Sequence, residues 1–366
     1  RWILGLALAE EKFSGGLLAD DMGLGKTYMA LSALDQMYKV YNQSGKVKKP
    51  CLVVAPLSVI QNWKDEVDKT FSISPFADIV VLQADADLPK YRVGGVETNQ
   101  QIDEGDTTAE IQYSLKVGRQ FFMEALDLPQ RLVITTYQTL RDYQFSLCTI
   151  DWSVVIFDEA QNIKNPNTLQ TRAAKGLKAD FKLLATGTPV ENSLADFWCL
   201  LDTACPSYLN SYQDFRKKYV VPILQAAGDE IEEVRDRVGR ELRIAVGALM
   251  LRRVKEGHIE GLPEKRIFVG IEEQGWEYMP ALSSIMQDRQ LDIYNATISA
   301  QEASESNIVL GSLQRLRDVS LHPQLADGGQ LKIPKGSHAF DSLINESGKM
   351  QSLISILDEI RKRGEK

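Results

Sequence analysis

The sequence predicts an α/β fold, in which a doubly wound parallel β-sheet is followed by appended α-helical protrusions. Two observations support this prediction. Short apolar runs alternate with helical patterns over residues 1–200, and strand signals nearly vanish after that. Strands that are apolar along their whole length are typical of a parallel sheet covered by helices on both faces. Alternation of strands and helices supplies the crossovers that such a sheet needs.

The predicted strands follow one another at intervals that leave room for helices. Four runs have clear strand character and a fifth is weaker: Gly16–Ala19, Cys51–Ala55, Leu132–Thr135, Val154–Phe157 and Lys182–Ala185. Helices are predicted at Lys26–Lys39, where the apolar side chains share one face, and at Ser58–Thr70. These elements together predict one α/β lobe.

After residue 200 the pattern is mainly helical and charged. The predicted helices are Ser211–Val220, Asp229–Arg253, Met279–Ile298, Asn307–Val319 and Met350–Arg363. One further strand is predicted at Arg266–Ile271, and Gly328–His338 has the Gly, Lys and Pro content of a linker.

Composition excludes several classes of protein. The chain has 366 residues, of which 44% are hydrophobic and 25% charged, so it can bury a large core without disulfide or metal support. Its longest apolar run, Ile244–Leu251, is far shorter than the ~20 residues of a membrane span. Four cysteines without a Cys-x-x-Cys pair and three scattered histidines argue against a zinc site. We therefore expect no membrane association and a reducing, cytoplasmic location.

The net charge of −8, from 42 basic and 50 acidic residues, argues by itself against a nucleic-acid partner. The acids are unevenly spread, however. Residues 83–110 hold seven acidic and two basic side chains, a net charge of −5, and the other 338 residues carry −3. A basic face elsewhere is compatible with these numbers. We interpret 83–130 as an insertion, which either recruits a partner or is mobile, and we expect it to be mobile.

The strongest local signal is a phosphate-binding loop between the first predicted strand and the first predicted helix. Its residues are Asp21, Met22, Gly23, Leu24, Gly25, Lys26 and Thr27. Glycines let backbone N–H groups surround phosphate oxygens, and the helix N-terminus attracts negative charge. Lys26 is predicted to reach the β- and γ-phosphates of ATP, and the Thr27 hydroxyl to bind Mg²⁺. Asp20 stands where the strict pattern requires a glycine.

Two further turns follow predicted strands. Asp158 and Glu159 end the fourth strand, at the sheet edge where α/β proteins bind ligands. Asp158 is predicted to hold Mg²⁺, and Glu159 to orient and deprotonate the attacking water. After the fifth strand, Thr186, Gly187 and Thr188 form a turn that can sense the γ-phosphate and pass its presence to a second site.

With these three motifs, the sequence resembles the Swi/Snf family of helicase-like ATPases in superfamily two. Further stretches carry the resemblance: Ala55–Ser58 with Asn62 and Trp63, Ile134–Tyr137, Asp158–Asn165, Thr186–Pro189 with Glu191 and Asn192, Leu251–Lys255 with Leu262–Lys265, and Leu313–Arg317 with His322 and Pro323. The Asp-Glu-Ala-Gln-Asn form is more similar to bacterial and archaeal members than to eukaryotic remodellers.

The resemblance implies a RecA-like lobe that binds ATP and Mg²⁺ within an ATP-driven translocase on double-stranded DNA. It implies that Gln161 acts with the 186–188 turn in coupling. It also places five residues near the DNA backbone: Pro56, Ser58, Asn62, Thr135 and Thr136. Each has a simpler interpretation; Ser58, for example, can be a helix cap. We interpret Trp63 as a core residue rather than a base-stacking platform. Arg252 and Arg253 fit either the family signature or solvated helix charges.

The resemblance also implies a domain organisation. Residues 1–200 correspond to the first lobe, 201–272 to a helical protrusion and the return to that lobe, 273–327 to a second protrusion, and 328–366 to a linker and the first helix of a second lobe. The family's adenine motif precedes Trp2-Ile3, and its arginine fingers lie in the second lobe. We therefore expect a piece of a longer protein that hydrolyses ATP very slowly alone, because an arginine finger contributes ~10³–10⁵ in rate.

Two alternatives remain open at the level of sequence. An RNA helicase of the same superfamily fits the phosphate loop and the acidic pair, but not Asn62-Trp63 or the Leu251–Lys255 stretch. A non-enzymatic scaffold with a degenerate site is disfavoured by intact Lys26, Thr27 and the acidic pair. Any protein partners of such a motor would bind through flanking domains, and a bacterial member would work at the nucleoid.

Overall fold

The computed structural model describes residues 1–8, 13–45, 48–97, 112–189, 193–228, 230–255, 268–270, 277–278, 282, 284–286, 288–302, 309–334 and 336–364. The chain divides into two units, Arg1–Glu260 and Gly261–Lys366.

A parallel β-sheet, with seven strands among the described residues, organises the first unit. Its strands are β1 (Gly15–Leu18), β2 (Cys51–Ala55), β3 (Asp78–Leu82), β4 (Arg131–Thr136), β5 (Asp151–Asp158), β6 (Lys178–Ala185) and β7 (Met250–Leu251). Their order across the sheet is β3-β4-β2-β5-β6-β1-β7. The strands β1, β2 and β4 are buried along their whole length, and burial of each Val, Leu or Ile contributes about 1.5–3 kcal/mol. The predicted fold class is confirmed.

Helices cover this sheet, as the crossovers of parallel strands require. In the first unit they are α1 (Trp2–Leu8), α2 (Lys26–Gln43), α3 (Ile60–Thr70), α4 (Leu88–Tyr91), α5 (Tyr137–Asp142), α6 (Gln144–Thr149), α7 (Leu169–Gly176), α8 (Leu194–Ala204), α9 (Tyr212–Phe215), α10 (Val221–Gln225) and α11 (Glu230–Val246).

Two strands of this sheet are absent from the sequence prediction. The strand β3 is at the sheet edge, so after the exposed Asp78 its residues alternate between half-buried and buried. Its apolar run, Ile79–Leu82, is a strand signal that the sequence prediction missed. The strand β7 has two residues and pairs with β1. The predicted helix Asp229–Arg253 was therefore too long at its C-terminal end, where pairing with β1 outweighs helical periodicity.

The described ends of the segment 83–130 are folded, whereas the sequence led us to expect mobility. Glu97 is fully buried and its carboxylate accepts hydrogen bonds from the main-chain N–H groups of Ser114 (2.8 Å) and Ser146 (3.0 Å). A carboxylate at the first turn of α6 also meets the positive end of that helix. Residues 98–111, which hold four of the seven acids, lie outside the described part of the chain.

The second unit is mainly helical where it is described. It contains β8 (Phe268–Val269), β9 (Glu277–Tyr278), α12 (Asp288–Glu302), α13 (Val309–Leu321), α14 (Ser337–Asn345) and α15 (Gly348–Arg363). The buried Gln290 joins its helices, since it donates to the carbonyl of Val319 (2.7 Å) and accepts from the N–H of Gly348 (3.2 Å). The helix predicted from Met279 begins at Asp288 instead.

Among the helices that the structure describes, none is both long enough and apolar enough to span a membrane.

Candidate functional site

The phosphate loop connects β1 to α2, as the sequence predicts. Gly23 and Gly25 adopt positive φ angles of 84° and 77°, which glycine tolerates at little cost. Gly25 is the N-cap of α2 and offers no side chain to the first-turn N–H groups. Lys26 reaches back across the loop, where its Nζ donates to the main-chain carbonyls of Asp20 (2.9 Å) and Asp21 (3.3 Å). The loop therefore presents N–H groups and a lysine to an anion.

The segment that follows β7 forms hydrogen bonds to the first residues of the phosphate loop. The carboxylate of Asp20 is fully buried and accepts from the main-chain N–H (2.8 Å), Nε (3.1 Å) and Nη2 of Arg253. The N–H of Asp21 donates to the carbonyl of Arg253 (3.1 Å), and the N–H of Lys255 donates to Oδ2 of Asp21 (3.1 Å). Arg252, in contrast, is exposed. Asp20 thus occupies the usual glycine position as an anchor, a role that the sequence prediction missed.

The acidic pair lies at the carboxyl end of β5. The carboxylate of Asp158 accepts from Nε1 of Trp63 (2.8 Å) and from the N–H of Glu159 (3.0 Å). Glu159 has a φ of 49°, in the left-handed region. Burial raises the pKa of the Asp158 carboxyl, while the Trp63 hydrogen bond and the nearby charge of Lys26 act in the opposite direction. The phosphate-loop lysine and the acidic pair are therefore close enough to interact.

Gln161 links the acidic pair to the turn after β6. Its Nε2 donates to Oε2 of Glu159 (2.9 Å), and its Oε1 accepts from the hydroxyl of Thr186 (2.7 Å). The Thr186 Oγ1 in turn accepts from the N–H of Thr188 (3.0 Å). A continuous chain of hydrogen bonds therefore runs between two of the predicted motifs.

The same turn lies against the phosphate loop. The N–H of Thr186 donates to the carbonyl of Leu18, the last residue of β1 (3.0 Å). Gly187 approaches the loop so closely that a Cβ at this position would be 3.3 Å from Cγ of Met22. The structure thus brings together the three motifs predicted to form the nucleotide site. Thr27 is in the first turn of α2, and Leu24 completes the loop between the two glycines.

The residues predicted to contact DNA fall into two groups. Ser58 and Asn62 are exposed and Pro56 is half-buried, at the start of α3. Ser58 caps neither the 3₁₀ turn Leu57–Val59 nor α3, so the simpler interpretation of its hydroxyl does not apply.

Thr135 and Thr136 differ, because their hydroxyls are used within the lobe. The Thr135 hydroxyl is buried and donates to the carbonyl of Leu82 (2.9 Å). Thr136 is the N-cap of α5, where its Oγ1 accepts from the N–H of Thr139 (3.0 Å). Contact of these five residues with DNA stays a prediction. The remaining signature residues Glu191, Asn192 and 262–265 lie outside the described residues.

A cavity of about 370 Å³ adjoins the phosphate loop between α1, α2 and β7. Its lining includes Trp2, Tyr28, Met29, Gln36 and Arg253. Because Leu251 and Arg253 of its lining come from a part of the chain distant from α1 and α2, no local pattern indicates this cavity.

Comparison with known proteins gives a consistent result. The model of the SNF2-related domain family matches residues 1–325. The Zorya protein ZorD of Escherichia coli is 34% identical over 335 residues, which are 89% of this chain and 28% of that protein. The putative ATP-dependent helicase/translocase YwqA of Bacillus subtilis is 30% identical over 370 residues, 100% of this chain and 33% of YwqA. The chain thus spans a third or less of these relatives.

The fold is also similar to a solved structure, the Sulfolobus solfataricus SWI2/SNF2 ATPase core in complex with dsDNA. The TM-score is 0.50 and the sequence identity 24%, with 99% of this chain and 63% of that chain covered.

Proposed function

The chain belongs to the SNF2-related, or Swi/Snf, family of helicase-like ATPases, and we propose that it is the nucleotide-binding lobe of a motor that translocates on double-stranded DNA. One observation carries the proposal. The phosphate loop, the acidic pair and the 186–188 turn meet at one sheet edge and are joined through Gln161 and Gly187.

The residues at this edge fit ATP and Mg²⁺. The uncapped N-terminus of α2, the positive-φ glycines and Lys26 suit the β- and γ-phosphates. The Thr27 hydroxyl and the Asp158 carboxylate are oxygen donors of the kind that Mg²⁺ prefers. Within the described residues no group of three His, Cys, Asp or Glu side chains could hold a metal alone, so Mg²⁺ would share its ligands with phosphates. Bound there, it would neutralise charge on the phosphate oxygens.

We propose that Glu159 is the general base. Its carboxylate accepts a hydrogen bond from Gln161, and Gln161 accepts one from Thr186. Thr186 belongs to the 186–188 turn, which packs against the phosphate loop at Gly187. The carboxylate would orient the attacking water and accept its proton. Because Gln161 and Thr186 form one hydrogen-bonded unit, we propose that they pass the state of the γ-phosphate to the rest of the motor.

The cavity beside α1 and α2 would hold the nucleoside base. Tyr28 and Met29 directly follow Thr27, so the cavity begins where the phosphates would end. A mostly apolar cleft with a few polar groups is the usual environment of such a ligand.

Duplex DNA is the proposed track. Within the segment 56–62, exposed Ser58 and Asn62 offer hydroxyl and amide groups for sequence-independent phosphate contacts. The solved structure with a similar fold is a complex with dsDNA, and YwqA is named an ATP-dependent helicase/translocase. Protein partners would act through sequence outside this chain, and the motor would work at the nucleoid within the cytoplasm.

The test uses ATP hydrolysis by the intact protein that carries this chain. Lys26→Ala and Glu159→Gln should each lower DNA-stimulated turnover by about 10²–10⁴-fold, because they remove the phosphate-binding cation and the general base. Glu159→Gln should retain nucleotide binding. Lys39→Ala is the matched control, since Lys39 is an exposed residue of the same helix as Lys26 and forms an i,i+4 ion pair with half-buried Asp35.

Duplex DNA, single-stranded DNA and RNA should be compared as activators. We expect duplex DNA to stimulate most. Full activity of Glu159→Gln would contradict the assigned base, and preferential stimulation by RNA would replace the proposed track.

A further inference from the structure

Two aromatic side chains hold the turn that carries Asp158 and Glu159. Trp63 of α3 donates its indole N–H to Oδ2 of Asp158 (2.8 Å). Tyr137, the first residue of α5, donates its hydroxyl to the main-chain carbonyl of Asp158 (2.7 Å). Both side chains are buried, with exposed fractions of 2% and 5%. The side chain and the backbone of one residue are thus fixed from two different helices.

The helices that supply these aromatics begin at the segments predicted to contact DNA. In the sheet register, Ala55 of β2 pairs with Thr136 of β4, and Val54 pairs with Phe157 of β5. Residues 56–62, Thr136 and Asp158 therefore leave the sheet at the same level of three adjacent strands. Trp63, which donates to Asp158, is about one helical turn after Ile60, the first residue of α3. A single turn of helix therefore connects the segment 56–62 to the residue that contacts Asp158.

The turn is also strained in a way that needs outside support. Glu159 adopts a left-handed conformation, which is unfavourable for a non-glycine residue and persists only where neighbouring contacts determine it. Hydrogen bonds from surrounding groups orient a metal-binding carboxylate and tune its affinity. Trp63 provides such a bond to the carboxylate, and Tyr137 holds the main-chain carbonyl of the same residue, so a shift of α3 or α5 would move Asp158.

We propose that Trp63 and Tyr137 are positioning residues that transmit duplex binding at exposed Ser58 and Asn62 to the Asp158–Glu159 turn. This inference rests on the proposed function, and it specifies how DNA regulates the nucleotide site. DNA-bound positions of α3 and α5 set the Asp158 carboxylate and the following Glu159 for hydrolysis.

The experiment compares Trp63→Phe and Tyr137→Phe in the intact protein. Tyr137→Phe removes one oxygen and keeps the ring, which stacks near Phe157. The matched controls are Trp152→Phe and Tyr38→Phe. Trp152 is fully buried at the start of β5 and donates to the carbonyl of Leu147 (3.1 Å), and buried Tyr38 donates to the carbonyl of Lys49 (3.1 Å).

Two readouts are measured. The first is the ratio of ATPase rates with and without duplex DNA, which should fall about 10-fold or more in Trp63→Phe and Tyr137→Phe and stay unchanged in the controls. The second is the Mg²⁺ concentration that half-saturates binding of a fluorescent ADP without DNA. It should rise about 10-fold in Trp63→Phe.

The outcomes separate this inference from the proposed function. If the natural protein is stimulated by duplex DNA and both variants keep the same ratio as their controls, the inference is overturned and the proposed function stands. An equal loss in the controls would indicate general destabilisation and also overturn it. If the natural protein shows no stimulation by DNA, the proposed function fails and the inference fails with it. Should Trp63→Phe not fold, Tyr137→Phe decides the first readout.

Discussion

Asp20 stands where phosphate loops usually carry a glycine, and its carboxylate is buried against Arg253. A buried carboxylate is tolerated only when it is paired and hydrogen-bonded. The guanidinium of Arg253 has the planar fork that matches a carboxylate, and its main-chain N–H adds a third bond. In this chain the residue at the glycine position therefore anchors the phosphate loop, through hydrogen bonds between Asp20 and Arg253, which are 233 positions apart.

Removal of Arg253 should destabilise the first unit. In Arg253→Met the Asp20 carboxylate remains buried without its partner, and we expect the free energy of unfolding to fall by roughly 2–4 kcal/mol. The lower end is expected because the Arg253 side chain is 34% exposed. Urea unfolding of the chain measures this change. Arg252→Met, at the exposed neighbour, is the control and should change it little; equal losses in both variants would contradict the anchor.

At the scale of elements, Lys182 of β6 joins the sheet to α7. Its Nζ donates to the carbonyls of Ala174 (3.2 Å) and Lys175 (2.9 Å), near the C-terminal end of that helix. Burial lowers the pKa of Lys182 from 10.5 to about 8. A lysine at this end of a helix donates to carbonyls that have no partner within the helix, and its positive charge interacts favourably with the partial negative charge of the helix C-terminus.

This pKa predicts how stability changes with pH. Between pH 8 and 10.5 the unfolded chain holds a proton on Lys182 that the folded chain has lost. The contribution of Lys182 to the free energy of unfolding therefore rises with pH in this range. The free energy of unfolding of the natural chain, relative to Lys182→Met, should rise by up to about 1.4 kcal/mol per pH unit in this window.

Urea unfolding at pH 7.5, 9 and 10 tests the difference. Buried thiols act in the opposite direction above pH 9, since burial raises the pKa of Cys51 to about 11, but both proteins share them. Lys178→Met, at the exposed start of the same strand, is the control. A difference between natural and Lys182→Met chains that does not vary with pH would refute the lowered pKa.

The elements also differ in how far sequence could predict them. The strands β2, β4 and β5 each contain a run of three or more consecutive apolar residues, so their local pattern identifies them. The strand β7 has no pattern of its own and exists because β1 offers a free edge. Likewise, the described ends of 83–130 are held by Glu97, whose partners lie 17 and 49 positions away.

At the scale of the whole molecule, the order of the strands in the sheet brings the three motifs of the candidate nucleotide site together. The order β2-β5-β6-β1 places the phosphate loop, the acidic pair and the 186–188 turn on adjacent strands, although they are far apart in the chain. In parallel sheets the carboxyl ends of all strands share one edge, and ligands bind there. The family resemblance inferred from the motifs is confirmed by the match over residues 1–325.

The proposed track predicts a salt-dependent affinity. Binding of the intact protein to duplex DNA should weaken linearly on a log–log scale, by ~0.9 per phosphate neutralised. Asn62→Asp should lower the affinity, because it adds negative charge to the exposed segment at the carboxyl edge of the sheet.

Ser44→Asp is the control for the same charge change. Ser44 follows α2, which runs back from the carboxyl edge, so it lies at the opposite edge of the sheet. Fluorescence anisotropy with a labelled duplex measures both variants. A flat salt response, or equal losses at the two positions, would contradict a phosphate-tracking surface at 56–62.

The sequence by itself determined the local pieces of this protein: the buried strands, the Gly-x-Gly-Lys-Thr loop, the acidic pair and the family. These depend on periodicity and on short motifs, which adjacent residues carry. Only the tertiary structure decided that Asp20 is anchored by Arg253 and that Trp63 donates to Asp158. The physical reason is that these bonds join residues 233 and 95 positions apart, and such pairs become neighbours only after the strands have paired.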